Sequence, residues 1–165
     1  MTSEHLLHTL PPIYDGNSKI LILGSFPSVK SREVSFYYGH PQNRFWRVLA
    51  AVLGCAVPSS NEEKTALLQS HNIALWDVIK SCDIVGSSDS SIKNVVPNDI
   101  GVILSSCGIR QIYSNGKTSE KLFNKYIKDT VGRDTVALPS TSPANASYNL
   151  ERLTDSWLVI KNNIR

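Results

Sequence analysis

Cysteine is scarce in this chain and badly placed for a covalent framework: Cys55, Cys82 and Cys107 lie far apart and form no Cys-x-x-Cys pair. An odd, scattered set argues against disulfide stapling and for a reducing compartment. The histidines, His5, His8, His40 and His71, show no His-x-x-x-His or Cys/His ligand spacing, so no metal site is expected, and no cofactor either. Long apolar runs are also missing. Nothing approaches the ~20 residues of a membrane span, and no basic start with a long apolar stretch opens the chain. The reading is therefore an intracellular, cytoplasmic protein. Neither sign of charge dominates: 17 basic residues face 14 acidic ones, for a net +3. The basic residues are dispersed, and Lys117, Lys121, Lys125 and Lys128 read as the solvated face of one helix, so a polyanionic partner is permitted but not demanded.

What is present is ordinary globular material, 41% hydrophobic and 19% charged over 165 residues. That length suits a single domain, residues 1–165, with residues 1–18 as an N-terminal extension packed on it. The run Ile20-Leu21-Ile22-Leu23, closed by Gly24, has the pattern of a strand buried on both faces in a parallel sheet. Phe45, Val48, Leu49, Val52 and Leu53 recur at helical spacing before Gly54, which predicts a helix over 43–53. Ser60 with Glu63 reads as a capping box opening a helix to about residue 71. Strands follow at 73–76, 111–114 and 135–138, and helices at 119–128 and over the segment carrying Leu150, Leu153, Trp157 and Ile160. Residues 87–91, Ser-Ser-Asp-Ser-Ser, read as a polar loop, with a short helix after Pro97.

Strands alternating with helices predict a three-layer α/β/α domain around a central four-stranded, mostly parallel sheet. Ligands in such sheets sit beyond the carboxyl ends of the strands. The candidate site is thus built from four exits: residues 25–28, Asp77, residues 115–118 and residues 139–145. Only Asp77 is acidic there, so the paired carboxylates of ordinary glycoside hydrolysis are missing. A good leaving group is then needed, and a nucleobase qualifies because its ring takes up developing negative charge. Gly116-Lys117-Thr118 lacks the upstream glycine of a phosphate loop, Gln111 standing in its place. Gly24-Ser25-Phe26-Pro27-Ser28 is no Gly-x-Ser-x-Gly elbow.

Three segments carry a more specific signal: Gly24-Ser25-Phe26-Pro27-Ser28, Tyr38-Gly39-His40-Pro41-Gln42-Asn43-Arg44-Phe45-Trp46 and Leu138-Pro139-Ser140-Thr141-Ser142-Pro143-Ala144-Asn145. Together, and in this order, they resemble the uracil-DNA glycosylase superfamily, most closely its hypoxanthine-DNA (deoxyinosine) glycosylase branch, related to the mismatch-specific enzymes. The resemblance runs from about residue 10 to 157. It implies a monofunctional, monomeric glycosylase that flips a deaminated base out of DNA and hydrolyses its N-glycosidic bond in base excision repair. A mismatch-type uracil enzyme, or a non-catalytic damage-binding domain of the same fold, is the alternative.

The resemblance also assigns roles. Most relatives carry an Asp or Asn that positions water where Phe26 stands here. In the hypoxanthine branch that duty falls to the Asn of His-Pro-Gln-Asn, which is Asn43. An amide is too weak a base to deprotonate water and would instead orient it toward C1′, and the same Asn43 is also a natural helix cap. Ser25, Phe26, Tyr38 and Asp77 would bind the base. Tyr38 matches a stacking aromatic, and stacking is worth about 1–3 kcal/mol per base. Asp77 stands where relatives read the base edge; an ionised carboxylate accepts only, which suits the N1–H of hypoxanthine and not the bare N1 of adenine. A buried structural Asp is the competing role. Ser28, His40, Lys117, Thr118, Ser140, Ser142, Pro143 and Asn145 would hold the DNA backbone or enter the duplex, and Leu138 replaces the His that supports uracil excision in relatives.

Overall fold

The computed structural model describes residues 2–165. Strand β1 (Glu4–Leu7) is largely exposed, whereas β2 (Ile20–Gly24) is buried at every residue. Ser28 caps the short helix α1 (Val29–Val34) by accepting the Ser31 N–H at 3.1 Å. Helix α2 (Phe45–Leu53) buries Phe45, Trp46, Val48, Leu49 and Val52 and stops at Gly54. In α3 (Asn61–Ser70) the capping box forms: Ser60 Oγ accepts the Glu63 N–H at 3.0 Å, while the Glu63 carboxylate reaches back one residue further, to the Ser59 N–H. β3 (Ile73–Asp77) is followed by β4 (Ile79–Ile84), a 3₁₀ turn at Asp89–Ser91 and β5 (Lys93–Pro97). Then come α4 (Gly101–Ser106), β6 (Gln111–Asn115), α5 (Lys117–Tyr126), α6 (Lys128–Val131) and β7 (Thr135–Leu138). Last is α7 (Leu150–Trp157), continued as a 3₁₀ turn through Asn162.

The central sheet has strand order β3-β2-β6-β7, and every pairing in it is parallel. Pleating sends alternate β2 side chains to opposite faces. Ile20 and Ile22 join Phe45, Trp46, Leu49, Leu153 and Trp157 in one core, under α2 and α7. Leu21 and Leu23 join Ile103, Ile112 and Phe123 in the other, under α4 and α5. Each such aliphatic contributes roughly 1.5–3 kcal/mol relative to exposure, so the three-layer order follows from β2 having no face left for water.

The sequence reading omitted one sheet. β1, β4 and β5 form an antiparallel ribbon in the order β1-β4-β5. β5 is mostly exposed and β4 is interrupted by register shifts, so neither shows a clear apolar alternation. The N-terminal segment is built into this ribbon and also into the main sheet's edge, through a bridge between Ile13 and Leu75. Helix α5 begins at Lys117, two residues before the expected start, because Gly116 ends β6 with φ 94°.

Candidate active site at the strand exits

The exits of all four parallel strands open on one crevice, a cavity of about 490 Å³, which lies in the size range of small-ligand sites. Its lining includes Ser25, Phe26, Ser28, Tyr38, His40, Asn43, Asp77, Ser140, Ser142 and Pro143 from the expected set. Lys117, Thr118 and Asn145 are not in the lining. Lys117 is exposed at the first residue of α5. Asn145 turns its amide inward, donating from Nδ2 to the Ser140 carbonyl at 3.0 Å, and so braces the loop that the sequence reading had it reach out from.

On one side of the cavity the backbone comes very close to side chains. A Cβ on Gly24 would stand 2.4 Å from Asp77 Oδ1 and 2.9 Å from the Tyr38 hydroxyl, so only glycine fits there. Asp77 is 3% exposed, and its Oδ2 meets His8 Nε2 at 2.8 Å. His8 arrives because its N–H continues the ribbon by donating to the Lys80 carbonyl at 2.7 Å, which leaves its side chain 1% exposed. Tyr38 adopts φ 53°, a conformation a bulky residue rarely takes, and its ring lies 4.1 Å from that of Phe45 at an interplanar angle of 18°. Its hydroxyl is buried without a well-formed hydrogen bond, although the Asn115 side chain is near enough to favour ionisation slightly. Burial first, and the Asp77 charge second, push the phenols of Tyr37 and Tyr38 well above their ordinary range, so both remain neutral donors. The Tyr37 hydroxyl donates to the Pro11 carbonyl at 2.7 Å.

Next to these residues runs a hydrogen-bond network built on Asn43. Asn43 Oδ1 accepts the Phe45 N–H at 3.0 Å and the Thr141 hydroxyl at 2.9 Å; the helix cap expected at Asn43 falls instead on Arg44, whose side chain makes no capping bond, so Asn43 ties down the residue before the helix rather than capping it. Asn115 Nδ2 donates to Thr141 Oγ1 at 3.0 Å, and the Thr141 N–H donates to Asn115 Oδ1 at 3.0 Å. Arg44 clamps the following loop, giving its guanidinium to the carbonyls of Ser142 at 2.9 Å, Asn145 at 3.1 Å and Tyr148. Trp157 Nε1 pins the start of the same loop by donating to the Pro139 carbonyl at 2.9 Å.

A lip of Ser87, Ser88, Asp89 and Ser90 closes the cavity between β4 and β5. Asp89 is exposed as a residue, but its carboxyl faces the crevice and accepts from the Ser25 hydroxyl at 3.3 Å. Desolvation there raises it above the ordinary carboxylate range, against the hydrogen bonds of Ser25 and Thr118 and with the help of the Asp77 charge. The cavity therefore holds a second acid, correcting the expectation that Asp77 stands alone. Sequence reasoning missed Asp89 because Ser-Ser-Asp-Ser-Ser has the composition of a solvated loop. It missed His8 because nothing nearby marks that residue as buried. Asn115 and Thr141 sat inside flagged segments, and their hydroxyl and amide chemistry at strand exits was the available signal.

Among the described residues no helix is long and apolar enough to cross a membrane, and no cluster of three or more His, Cys, Asp or Glu is arranged to hold a metal ion. A family model described as the uracil DNA glycosylase superfamily matches residues 11–162. A hypoxanthine DNA glycosylase of Methanosarcina barkeri (strain Fusaro) is 36% identical over 137 residues, 82% of this chain and 85% of the relative. A hypoxanthine DNA glycosylase of Methanosarcina acetivorans is 35% identical over 144 residues, 86% of this chain and 90% of the relative. In three dimensions the chain is similar to a solution NMR structure of a candidate uracil DNA glycosylase from Methanosarcina acetivorans, with TM-score 0.78, 33% identity and coverage of 92% of this chain and 94% of the other. By sequence and by fold, the chain belongs to the uracil DNA glycosylase superfamily.

Proposed function

We propose that the protein is a monofunctional DNA glycosylase that hydrolyses the N-glycosidic bond of deaminated bases, preferentially hypoxanthine in deoxyinosine, acting as a monomer in the cytoplasm. The observation that carries this reading is the convergence of Tyr38, Asp77 and Asn43 on one cavity at the carboxyl ends of the parallel strands. A flipped purine would stack on Tyr38, which lines the cavity and itself packs on Phe45. Asp77 accepts the N1–H of hypoxanthine; adenine would instead place an acceptor against an acceptor, which is costly in a desolvated site. The C1′–N9 bond breaks with its electron pair leaving on the base. A water held by Asn43 bonds C1′, and its proton passes by way of solvent to the departed base. With an oxocarbenium-like sugar, aiming the water matters more than deprotonating it. Ser140, Ser142 and Pro143 line the cavity with Ser28 and His40, and the flanking phosphates would lie against them; Lys117 and Thr118 would meet DNA beyond the cavity, and Asn145 acts by bracing the loop.

Duplexes carrying deoxyinosine, deoxyuridine or only normal bases, incubated with the protein and then cleaved by alkali at abasic sites, test this directly. Breaks at inosine support the reading. Breaks chiefly at uracil replace it with a mismatch-type uracil enzyme, and binding without breaks replaces it with a damage sensor. Asn43→Ala is expected to lower excision by about 10²–10³-fold while costing roughly 1–3 kcal/mol of stability for the two hydrogen bonds its Oδ1 accepts; near-normal rates would remove Asn43 from the reaction.

A further inference from the structure

The network around Asn43 has only one way to distribute its protons. Its two ends are backbone N–H groups, which can only donate. The Phe45 N–H identifies the oxygen of the Asn43 amide, and the Thr141 N–H identifies the oxygen of the Asn115 amide. The other end of Asn115 is therefore its NH₂, which donates to Thr141 Oγ1. The Thr141 hydroxyl then has a proton to give, and Asn43 Oδ1 receives it at 2.9 Å. Thr141 is 0% exposed, so water does not compete for that bond. Both lone pairs of Asn43 Oδ1 are occupied. Among the described residues no protein acceptor engages its Nδ2, and Asn43 lines the cavity. Turning the amide over would set NH₂ against the Phe45 N–H and the Thr141 hydroxyl together.

We propose that Thr141 and Asn115 are positioning residues that lock the Asn43 carboxamide with Nδ2 toward the cavity, so that Asn43 enters the reaction as a hydrogen-bond donor. This rests on the glycosylase reading above and specifies how its central residue works. A donor holds the attacking water through one lone pair and leaves the other for C1′; an acceptor would pull on the water's proton instead. The relay also joins three segments, since the Arg44 N–H donates to the Thr141 carbonyl at 3.0 Å: the exit of β6, the loop after β7 and the start of α2 move as one piece.

Asn43→Asp separates the two roles, because it keeps shape and both incoming hydrogen bonds but offers the cavity only an acceptor. Single-turnover excision from a deoxyinosine duplex should fall by about 100-fold or more. A rate equal to or above the parent would overturn the donor assignment while leaving the glycosylase reading intact. Thr141→Val removes the hydroxyl at nearly constant volume and leaves Asn115 Nδ2 and Asn43 Oδ1 facing a methyl, so it should slow excision about 10–100-fold and lower the melting temperature by roughly 2–8 °C with duplex affinity little changed, and Thr141→Ser should restore most of the rate. A merely structural Thr141 would instead lose duplex affinity in step with rate, with no rescue by Ser. If Val impairs folding, Asn115→Asp removes the relay's first donor and is expected to give the same loss of rate. The Asn43 side-chain amide signals in an ¹H–¹⁵N spectrum supply a readout independent of substrate. They should shift strongly in Thr141→Val and little in Thr141→Ser, and unchanged signals in Val would overturn the relay even if the preferred base were another one.

Discussion

The two walls of the cavity differ in how completely their polar groups are satisfied. On the Asn43 side, two backbone N–H groups, a buried hydroxyl and two amides bond one another, and only the Arg44 Nε is buried without a partner. On the Gly24 side, Tyr38 sits at a strained φ, its hydroxyl lacks a proper acceptor, and a carboxylate is pressed on bare backbone. An unpaired buried hydroxyl costs about 1–3 kcal/mol. Strain and unmet polar groups of this kind persist where the surrounding fold over-determines them, and they concentrate at working sites. Under the proposed function, the difference separates a wall set in advance from a wall that would gain most when a base arrives.

Gly24→Ala breaks that contrast hardest. Its new Cβ must displace Asp77 Oδ1 or the Tyr38 hydroxyl, so excision should drop on the order of 100-fold and stability by about 1–3 kcal/mol, while the Asn43 amide signals stay in place. Parent-like rates and melting in this variant would mean that the base wall tolerates a shift. Tyr38→Phe is gentler and sharper. Deleting the unpaired hydroxyl should leave melting temperature equal or raise it by roughly 2–4 °C for about 1 kcal/mol, yet weaken binding of a deoxyinosine duplex. A clear loss of stability would show that the hydroxyl is paired after all.

The smallest effect concerns the lip. Asp89 holds its proton more firmly in the folded chain than in the unfolded one. Just above the ordinary carboxylate range, near pH 4, the native state thus binds more protons, and stability falls as pH rises through that window. Asp89→Asn should match the parent at low pH and melt slightly higher at neutral pH. Thermal melts across pH 3–7 with no widening gap would place the Asp89 carboxyl in open solvent.

Much of the scaffold was legible because burial is written into composition. β2 could only be a doubly covered strand, Gly54 could only end α2, and Ser60 with Glu63 announced α3. Asn43 was legible because its motif is local; its partners Asn115 and Thr141, the latter 98 residues on, were not. The ribbon was not, since β5 has little apolar signal and β1 reaches β4 across most of the first half of the chain. Nor was the burial of His8, which depends on the Lys80 carbonyl and the Asp77 carboxylate, the latter 69 residues away. The composition of residues 87–91 pointed to solvent, and only the pairing of β4 with β5 folds that stretch over the crevice.

That reach from His8 to Asp77 also orders events in time. A segment made among the first cannot settle until β3, the second strand of the parallel sheet in chain order, and its neighbour β4 exist, and closing so long a loop is among the slower steps of assembly. The wall that carries Asn43 closes a still longer loop, 98 residues from Asn43 to Thr141, so neither wall is expected to be complete before the chain through the loop after β7 has folded, and an early intermediate would hold helices on the sheet with no finished crevice between them.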